Sequence, residues 1–422
     1  MRVAGRIRPP GDKSVTHRAL MLAGLSRTKV VLDGALTALD AKSTARVLRQ
    51  LGVAIGPLRR GEVTVVRGRA WRRPSRTLDC GNSGTTARLI LGCLAGHRFE
   101  ARLSGDASLR RRPMRRVTEP LVQMGATVRE EAGDGLPLRI RGAQLKPFRF
   151  LSPVASAQLK SALLLAGLAG GVPVTVVEPA RSRDHTERLF SYLGMDIRVD
   201  AVEISLQSAG SVWPRTEPFD LQIPGDASSA AFLVAAAILA DSGELLIEDV
   251  GVNPTRSGYL DVLERMGGRI KTERRREVCG EPVADLVVSP SWLTGTEVKA
   301  AEIPGLIDEV PVLAGLAARA AGETVFRSVG ELRVKESNRL NLVAENLRAI
   351  GAEAAVAGDD LHVVGSERPL RGRVETARDH RLAMTFAVLG LTDKARIELS
   401  EPASAAVSYP GFFEDLRLVT GR

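Results

Sequence analysis

The feature that most constrains the fold is a short polar turn that recurs along the chain, each time directly before an apolar run. Clear copies lie at residues 11–14, 81–86, 152–158 and 224–229, and looser copies follow at 304–309 and 377–381. Aspartate, serine and asparagine favour the first position of a helix, so each turn predicts a helix N-terminus. The runs that follow are apolar on nearly every side, which indicates buried helices.

A second pattern, Leu-x-x-(Leu/Met/Ile)-Gly followed by strand-like alternation, alternates with the first. Its glycines are Gly52, Gly125, Gly194, Gly267 and Gly351. A glycine in this place is typical of the residue that ends a helix in a left-handed conformation. Together the two patterns predict a βαβαββ unit of about 70 residues, and six such units fit the chain. Only the fifth unit has an extra stretch, near residues 279–296.

The length of 422 residues and the six units favour an α/β protein with two similar domains of three units each. We expect the hinge between them in the loop at 219–225, after the third unit. The polar turns would then face one another across a cleft.

The charge balance narrows the class of ligand. Lys and Arg number 59 against 49 Asp and Glu, a net charge of +10, which suits nucleic acid, a membrane surface or small acidic ligands. Aromatic residues make up only 4%, leaving few platforms on which bases could stack, so small acidic ligands are favoured.

The cysteines and histidines argue against a metal site. Three cysteines lie far apart without a CxxC pair, which also disfavours a disulfide framework and indicates a reducing compartment. No apolar run reaches transmembrane length, and the first polar turn begins so close to Met1 that we expect no signal or transit peptide. We therefore expect a cytoplasmic protein with no metal.

The polar turns of the first three units carry side chains that suit anions. Lys13, Ser14 and Arg18 follow the first turn, and a helix N-terminus itself attracts negative charge. The second and third units add the turn around Gly84, and then Arg112, Ser156, Gln158, Lys160 and Arg183. Taken alone, the first turn is equally well explained by a capped helix with a solvated lysine.

The last two units supply carboxylates as well as cations. Asp308 lies in the fifth turn, and Arg381 follows the sixth. Lys335 and Arg339 are four residues apart, so a helix would put both on one face with Glu336 beside them. An exposed helix face is the alternative for that run. Basic residues at the helix starts of five units indicate a site for one or two small, multiply anionic substrates.

Several familiar motifs are absent. The chain has no GxxxxGK(S/T), no GxGxxG after a first strand, and no Ser/His/Asp order with an elbow glycine. We therefore expect no organic cofactor.

The chain resembles the 5-enolpyruvylshikimate-3-phosphate synthase family from end to end. The motifs that carry the resemblance are Gly11-Asp12-Lys13-Ser14 with Arg18, Gly81-Asn82-Ser83-Gly84-Thr85, Arg112-Pro113-Met114, Ser156-Ala157-Gln158, Arg183-Asp184-His185-Thr186-Glu187, Asn253-Pro254-Thr255-Arg256, Leu332-Arg333-Val334-Lys335-Glu336-Ser337 and Asp379-His380-Arg381. Several of these elements look like those of the family's class II branch.

The resemblance implies a fold of two inside-out α/β barrel domains, each built from three βαβαββ repeats. It implies an N-terminal domain at 13–224 and a C-terminal domain made of 1–12 plus 225–422. The implied reaction transfers the enolpyruvyl group of phosphoenolpyruvate to the 5-hydroxyl of shikimate-3-phosphate and releases phosphate. It runs by addition and elimination through a tetrahedral intermediate, in the shikimate pathway of aromatic amino acid biosynthesis, and implies a monomer without nucleic acid or membrane partners.

The resemblance also implies roles for single residues. Asp308 would deprotonate the hydroxyl, Glu336 would protonate the methylene carbon, and Lys13 could shuttle the proton. Shikimate-3-phosphate would be held by Lys13, Ser14, Arg18, Ser156, Ala157, Gln158, Arg183, Asp308 and Lys335. Phosphoenolpyruvate would be held by Lys13, Gly84, Arg112, Gln158, Arg339 and Arg381.

One position departs from the family pattern. Val407 stands where many members have a lysine, and valine cannot supply that charge.

Three alternatives remain open at this point. UDP-N-acetylglucosamine enolpyruvyl transferase has the same repeat fold, but the loop at 104–110 lacks its usual cysteine. A nucleic-acid-binding protein or an RNA-end cyclase would explain the positive charge, although the scarcity of aromatic residues and the Asp308/Glu336 pair disfavour both.

Overall fold

The structure is a computed structural model that describes residues 1–207 and 213–421. Its α-helices are α1 Lys13–Leu25, α2 Leu39–Gln50, α3 Gly84–Ala95, α4 Ala107–Arg110, α5 Arg115–Gln123, α6 Ala157–Gly170, α7 His185–Tyr192, α8 Ala227–Ile238, α9 Gly258–Arg265, α10 Val310–Ala317, α11 Arg339–Ala349, α12 His380–Leu389 and α13 Phe412–Thr420. Short 3₁₀ helices span Ile303–Gly305, Gly330–Val334 and Pro402–Val407.

The strands are β1 Gly5–Ile7, β2 Lys29–Asp33, β3 Ala54–Ile55, β4 Thr64–Arg67, β5 Leu78–Asp79, β6 Glu100–Ser104, β7 Thr127–Glu130, β8 Leu138–Arg141, β9 Phe148–Leu151, β10 Val174–Val177, β11 Ile197–Asp200, β12 Glu203–Leu206, β13 Phe219–Gln222, β14 Leu245–Gly251, β15 Arg269–Val278, β16 Glu281–Ser289, β17 Glu297–Val298, β18 Glu323–Phe326, β19 Glu353–Ala357, β20 Asp360–Val364, β21 Arg371–Val374 and β22 Arg396–Leu399.

The chain forms two compact units. Unit N consists of residues 11–224 and 277–281, and unit C consists of 1–10, 225–276 and 282–422. Residues 11, 12 and 277–281 therefore lie in unit N, whereas the family resemblance implied that they belong to the C-terminal domain. Residues 277–281 form the tip of the β15–β16 hairpin, so the extra stretch predicted for the fifth unit belongs to the hairpin of the fourth sheet.

Unit N contains three four-stranded sheets of the same design, with strand orders β13-β2-β4-β3, β5-β6-β8-β7 and β9-β10-β12-β11. In each, the first pair is parallel and the remaining strands form an antiparallel hairpin. The strands show one buried and one more exposed face. The helices α1, α3 and α6 are buried almost throughout, which confirms the prediction of core helices.

Two of the core helices of unit N pack without space between their backbones. A Cβ atom added at Gly92 of α3 would lie 2.0 Å from the carbonyl oxygen of Ala162 in α6. Only glycine permits this approach. The sheets therefore surround a tightly packed helical centre, the inside-out arrangement that the resemblance implied.

Unit C repeats the design around α8, α10 and α12, which are likewise buried. Its sheets have the orders β1-β14-β16-β15, β17-β18-β20-β19 and β21-β22. The prediction of six complete βαβαββ units is thus wrong for the sixth, whose sheet has two strands within the described residues and is followed by α13. The five glycines predicted to end helices all have positive φ angles, between 79° and 119°.

Among the described residues, none of the helices combines the length and the apolar character needed to cross a lipid bilayer.

Candidate active site

In unit N, the helix α1 begins at Lys13, as the sequence predicted. The carboxylate of Asp12 caps it by accepting a hydrogen bond from the Val15 amide at 2.8 Å. Lys13 and Ser14 therefore stand in the first turn, where both are partly exposed. The ammonium group of Lys13 forms an ion pair with the buried carboxylate of Asp40 in α2. Asp40 was not predicted, since no polar turn precedes α2.

Arg18 lies one turn further along α1 and is buried. Its Nε donates to Thr186 Oγ1 at 2.7 Å, Nη2 to Ser161 Oγ at 2.6 Å and Nη1 to the carbonyl of Ser14 at 2.9 Å. Burial lowers the pKa of the guanidinium to about 10, against the opposing attraction of carboxylates such as Glu187. Arg18 therefore keeps its charge at neutral pH and ties α1 to α6 and α7.

The start of α3 brings two arginines close to Gly84. Arg112 Nη2 donates to Asn82 Oδ1 at 2.8 Å, and Arg88 Nη1 donates to Gln158 Oε1 at 2.8 Å. A Cβ atom at Gly84 would lie 2.9 Å from Arg88 Nη1 and 3.4 Å from Arg112 Nη1. The absence of a side chain at Gly84 leaves room for both guanidinium groups.

The start of α6 carries the next set of predicted residues. Ser156 caps the helix through a hydrogen bond from the Leu159 amide at 3.4 Å, and Ala157 is its first residue. Gln158 joins this turn to the previous one, because its Nε2 donates to Thr85 Oγ1 at 3.0 Å. Arg183 is half-buried in the segment that precedes α7. All of the site residues predicted in the first three repeats, from Lys13 to Arg183, belong to unit N.

Lys160 has a different role from the one predicted for it. Its side chain is only 1% exposed, and Nζ lies 2.7 Å from Glu178 and 2.6 Å from Glu187. A lysine enclosed by two carboxylates is an internal ion pair, since the buried charge needs compensation.

In unit C, Asp308 lies just before α10 among three guanidinium groups. Its carboxylate oxygens are 3.6 Å from Arg339 Nη1, 3.9 Å from Arg256 Nη1 and 3.9 Å from Arg381 Nη2. The side chain is 17% exposed, so it remains open to solvent or a ligand. The carboxylate therefore lies in a network of mixed charge, since each of these arginines also pairs with another carboxylate.

Arg339 is fully buried and serves as the centre of a carboxylate cluster. Its Nε donates to Asp379 Oδ2 at 2.8 Å and its Nη2 to Glu336 Oε2 at 2.5 Å. Burial by itself lowers the pKa of Arg339, but the carboxylates of Asp379, Glu336 and Asp308 outweigh it and raise the pKa above its ordinary value. Arg339 is therefore a permanent cation that holds Glu336 and lies beside Asp308.

The prediction that Lys335 and Arg339 share one face of a helix is wrong. Lys335 ends the 3₁₀ helix Gly330–Val334, whereas α11 begins at Arg339 and is capped by Asn338. The Lys335 ammonium pairs with Glu331 at 3.0 Å, and Glu336 binds Arg339 instead. The asparagine cap satisfies an amide of α11 and so stops the helix from extending backwards.

Arg381 lies in the first turn of α12 and reaches the Asp308 segment. Its Nη1 donates to the Asp308 carbonyl at 2.8 Å and its Nη2 to Ser228 Oγ at 3.3 Å. The same hydroxyl accepts from Arg256 Nη2 at 2.7 Å and forms a hydrogen bond with Glu309. Ser228 and Arg256 were not predicted as site residues, although the fourth polar turn and the Asn253–Arg256 motif contain them.

Two further observations bear on what the site can hold. In the part of the chain that the structure describes, no three His, Cys, Asp or Glu side chains form a group that could hold a metal ion. Val407 ends the 3₁₀ helix Pro402–Val407 and is partly buried.

Comparison with known proteins identifies the family. A sequence model described as EPSP synthase (3-phosphoshikimate 1-carboxyvinyltransferase) matches residues 1–416. A 3-phosphoshikimate 1-carboxyvinyltransferase from Gloeobacter violaceus is 48% identical, with 99% of this chain and 97% of that protein covered. One from Thermus thermophilus is 49% identical, with 98% and 95% covered.

Solved structures agree with the sequence comparisons. EPSP synthase from Acinetobacter baumannii superposes with a TM-score of 0.87 at 36% identity, covering 99% of this chain and 95% of the other. The enolpyruvyl transferase NikO from Streptomyces tendae gives a TM-score of 0.77 at 22% identity, which shows the shared fold. The UDP-N-acetylglucosamine alternative is not favoured, because the family model and these two curated relatives carry the other enzyme name. The chain therefore belongs to the EPSP synthase (3-phosphoshikimate 1-carboxyvinyltransferase) family, the transferases that join phosphoenolpyruvate to shikimate-3-phosphate in the shikimate pathway.

Proposed function

We propose that the polar groups near the starts of α1, α3 and α6 in unit N, and those around Asp308 and Arg339 in unit C, supply the binding and catalytic groups for the family's reaction. The protein transfers the enolpyruvyl group of phosphoenolpyruvate to the 5-hydroxyl of shikimate-3-phosphate and releases phosphate. The observation that carries the assignment is Asp308, a partly exposed carboxylate within 4 Å of three guanidinium groups.

The binding roles are those that the family resemblance implies, and the charges of the substrates support most of them. The two substrates together bring two phosphates and two carboxylates, whose mutual repulsion must be offset by fixed cations and amides. The residues proposed to hold shikimate-3-phosphate are Lys13, Ser14, Arg18, Ser156, Ala157, Gln158, Arg183, Asp308 and Lys335. The residues proposed to hold phosphoenolpyruvate are Lys13, Gly84, Arg112, Gln158, Arg339 and Arg381.

The catalytic roles follow from the bonds that change. In the addition, the substrate hydroxyl oxygen bonds to the central carbon of phosphoenolpyruvate, while its proton leaves and another proton joins the methylene carbon. Asp308 accepts the first proton and Glu336 delivers the second, giving a tetrahedral intermediate. In the elimination, the methyl carbon loses a proton and phosphate departs, which restores the double bond. Lys13 shuttles protons in either step.

The ion pairs of Asp308 and Glu336 support assigning proton transfer to this acidic pair. Glu336 is 24% exposed and its carboxylate is anchored by the buried Arg339 at 2.5 Å. Asp308 is oriented by Arg339 on one oxygen and by Arg256 and Arg381 on the other. A single arginine therefore fixes both proton-transfer groups, which suits two transfers on one substrate pair.

The activity itself is tested by measuring phosphate release from phosphoenolpyruvate with and without shikimate-3-phosphate. Release should require both substrates. Release that does not depend on shikimate-3-phosphate, or no release with both present, would overturn the assignment.

The roles are tested with Asp308→Asn and Glu336→Gln. Each should slow turnover by about 100-fold or more, as the loss of a proton-transfer group does. The dissociation constant of shikimate-3-phosphate should change little for Glu336→Gln. For Asp308→Asn it should change by less than about tenfold, because asparagine keeps a hydrogen-bonding oxygen at a position proposed to contact that substrate. The matched control is Glu345→Gln on the exposed face of α11, which should leave turnover unchanged. Near-normal turnover in either of the two variants would show that its assigned role is wrong.

We also propose that the protein works as a monomer in the cytoplasm, without nucleic acid or membrane partners. Its three cysteines are buried free thiols, which suits a reducing compartment. Sedimentation velocity at micromolar concentration should give one species near the 45.2 kDa chain mass. A dimer mass would contradict the first part, and localisation of a tagged protein to the periplasm or the membrane would contradict the second.

A further inference from the structure

A fully buried ion network lies inside unit N next to the proposed shikimate-3-phosphate residues. Lys160 of α6 and the carboxylates of Glu178 and Glu187 are each 4% exposed or less, and the ammonium group bridges the two carboxylates. Removing three charges from water is costly, and their mutual attraction only offsets that cost, so such a network is weak evidence of added stability. Its hydrogen bonds do fix the relative positions of the segments that they join.

Glu178 directs its carboxylate at two separate segments of the chain. Oε1 accepts a hydrogen bond from the Ser156 amide at 3.2 Å and from the Ser182 hydroxyl at 2.6 Å. Oε2 accepts from Lys160 Nζ at 2.7 Å and from the Ser182 amide at 3.4 Å. The carboxylate thus holds the turn before α6 against the segment before α7.

Both segments carry proposed substrate contacts. Ser156 itself stands in the first segment, and Arg183 follows Ser182 directly in the second. The Ser156 amide donates directly to the Glu178 carboxylate, and the amide of Ser182, next to Arg183, donates to the same group. A shift of either Ser156 or Arg183 would therefore disturb a hydrogen bond to Glu178.

The second carboxylate of the network links it to α7. Glu187 binds Lys160 at 2.6 Å and neighbours Thr186, whose hydroxyl accepts from Arg18. Burial raises the pKa of Glu187, while Lys160 acts in the opposite direction. Lys160 is therefore placed to hold Glu178 rather than to meet a ligand.

We propose that Glu178 is a positioning residue for shikimate-3-phosphate, which sets the distance between Ser156 and Arg183 without touching the substrate. This inference rests on the proposed function, since it needs Ser156 and Arg183 to bind that substrate. Preorganised contacts bind more tightly because the ordering of the two segments is complete before the substrate arrives.

The first test compares Glu178→Gln with Ser182→Ala. Glutamine keeps the size of the side chain but removes the charge that holds Lys160, while the alanine variant deletes one hydroxyl donor and leaves every charge in place. The dissociation constant of shikimate-3-phosphate should rise about tenfold and about threefold respectively. Turnover and the KM of phosphoenolpyruvate at saturating shikimate-3-phosphate should stay within about threefold. Glu203→Gln, which alters an exposed ion pair with Arg149 in the same unit, is the control and should change nothing.

The second test is a mutant cycle in a Ser156→Ala/Arg183→Ala background. If Glu178 acts through these two residues, Glu178→Gln should weaken binding there by less than about threefold. A full tenfold loss in that background, or a fall in turnover with unchanged binding, would overturn the inference. If Glu178→Gln does not fold, Ser182→Ala decides, and an unchanged dissociation constant overturns the inference.

The same cycle separates this inference from the proposed function. If Ser156→Ala/Arg183→Ala binds shikimate-3-phosphate as tightly as the unaltered protein, the site assignment itself fails and the inference fails with it. If that background weakens binding while Glu178→Gln and Ser182→Ala do not, only the inference fails.

Discussion

At the scale of single residues, the site depends on charges that are held away from water. Arg339 has no exposed side-chain surface, and its two hydrogen bonds to Asp379 and one to Glu336 compensate the cost of burial. Such a cation is already fixed in place before phosphoenolpyruvate binds. It also supports the more exposed carboxylates beside it, Asp308 and Glu336.

Gly84 offers a direct test at this scale. Gly84→Ala would place a Cβ atom 2.9 Å from Arg88 Nη1, so that the Arg88 guanidinium must move, whereas Arg112 Nη1 at 3.4 Å would be in ordinary contact. We expect the KM of phosphoenolpyruvate to rise about tenfold, because the methyl group fills space beside Arg112 and the shift of Arg88 disturbs its hydrogen bond to Gln158. The dissociation constant of shikimate-3-phosphate should change by less than about threefold. Gly56→Ala, whose Cβ would meet nothing closer than 3.4 Å, is the control, and equal effects in both variants would contradict the explanation.

At the scale of elements, the positions of the site residues depend on capped helix starts, and one hairpin adds buried groups to unit N. Asp12, Ser83, Ser156, Asp226 and Asp379 each cap a buried helix with a side-chain oxygen. Each cap leaves the next residues of the first turn free to present their side chains beside the positive end of the helix. The β15–β16 hairpin adds to unit N a tip that contributes the buried Glu281.

The hairpin tip can be tested through the pair between Glu281 and His185. The two side chains are 3–4% exposed and 2.8 Å apart. Glu281→Ala would leave a buried polar nitrogen without this partner, which costs about 1–3 kcal/mol of unfolding free energy. This loss of unfolding free energy is measured by urea denaturation monitored through tryptophan fluorescence, since the buried Trp71 and Trp213 both belong to unit N. Glu273→Ala, at an exposed position of the same hairpin, should cost little, and equal losses would show that the pair contributes nothing specific.

At the scale of the whole molecule, the stability of unit N is linked to pH through His17. This side chain is fully buried in α1, and burial, together with the nearby charges of Lys13 and Arg18, holds its pKa well below 6.5. The unfolded chain binds a proton below about pH 6.5 that the folded chain does not accept. The contribution of His17 to the free energy of unfolding is therefore fully present above about pH 6.5. It is lost progressively as the pH drops from there toward the pKa of the folded state.

The expected slope is about 1.4 kcal/mol of unfolding free energy per pH unit for one such proton, below pH 6.5. Urea denaturation at pH 7.0, 6.0 and 5.5 measures it. His17→Gln should reduce the slope by about one proton, whereas His362→Gln in unit C should leave the unit N transition unchanged. An identical slope with and without His17 would contradict the assignment.

Local sequence predicted much of the architecture. The polar turns marked the starts of α1, α3, α6, α8 and α12, and the five glycines marked helix ends with positive φ angles. These features depend on residues within one helical turn of each other, so the sequence reports them directly. About half of the candidate residues lie in these turns, and the roles of all of them were drawn from the family resemblance.

Long-range contacts could not be read in this way. The pairing of Lys13 with Asp40 joins two helices, and the Ser228 hydroxyl joins Arg256, Arg381 and Glu309 from three further segments. The prediction that one helix spans Lys335 and Arg339 was wrong because a spacing of four residues does not show where a helix begins. Asn338 caps α11 at its start, so Lys335 lies outside that helix.

Neighbouring residues are enough to specify the buried helices, most of their starts and stops, and the cations that lie near the starts of α1, α3, α6 and α12. The tertiary structure alone decided which strands complete the sheets. In the first sheet β13 pairs with β2, and in the fourth β1 pairs with β14, across about two hundred intervening residues in each case. It also decided that Lys160 binds Glu178 and Glu187 inside the protein. A charge is internal or ligand-binding according to what surrounds it, and only the packed fold supplies those surroundings.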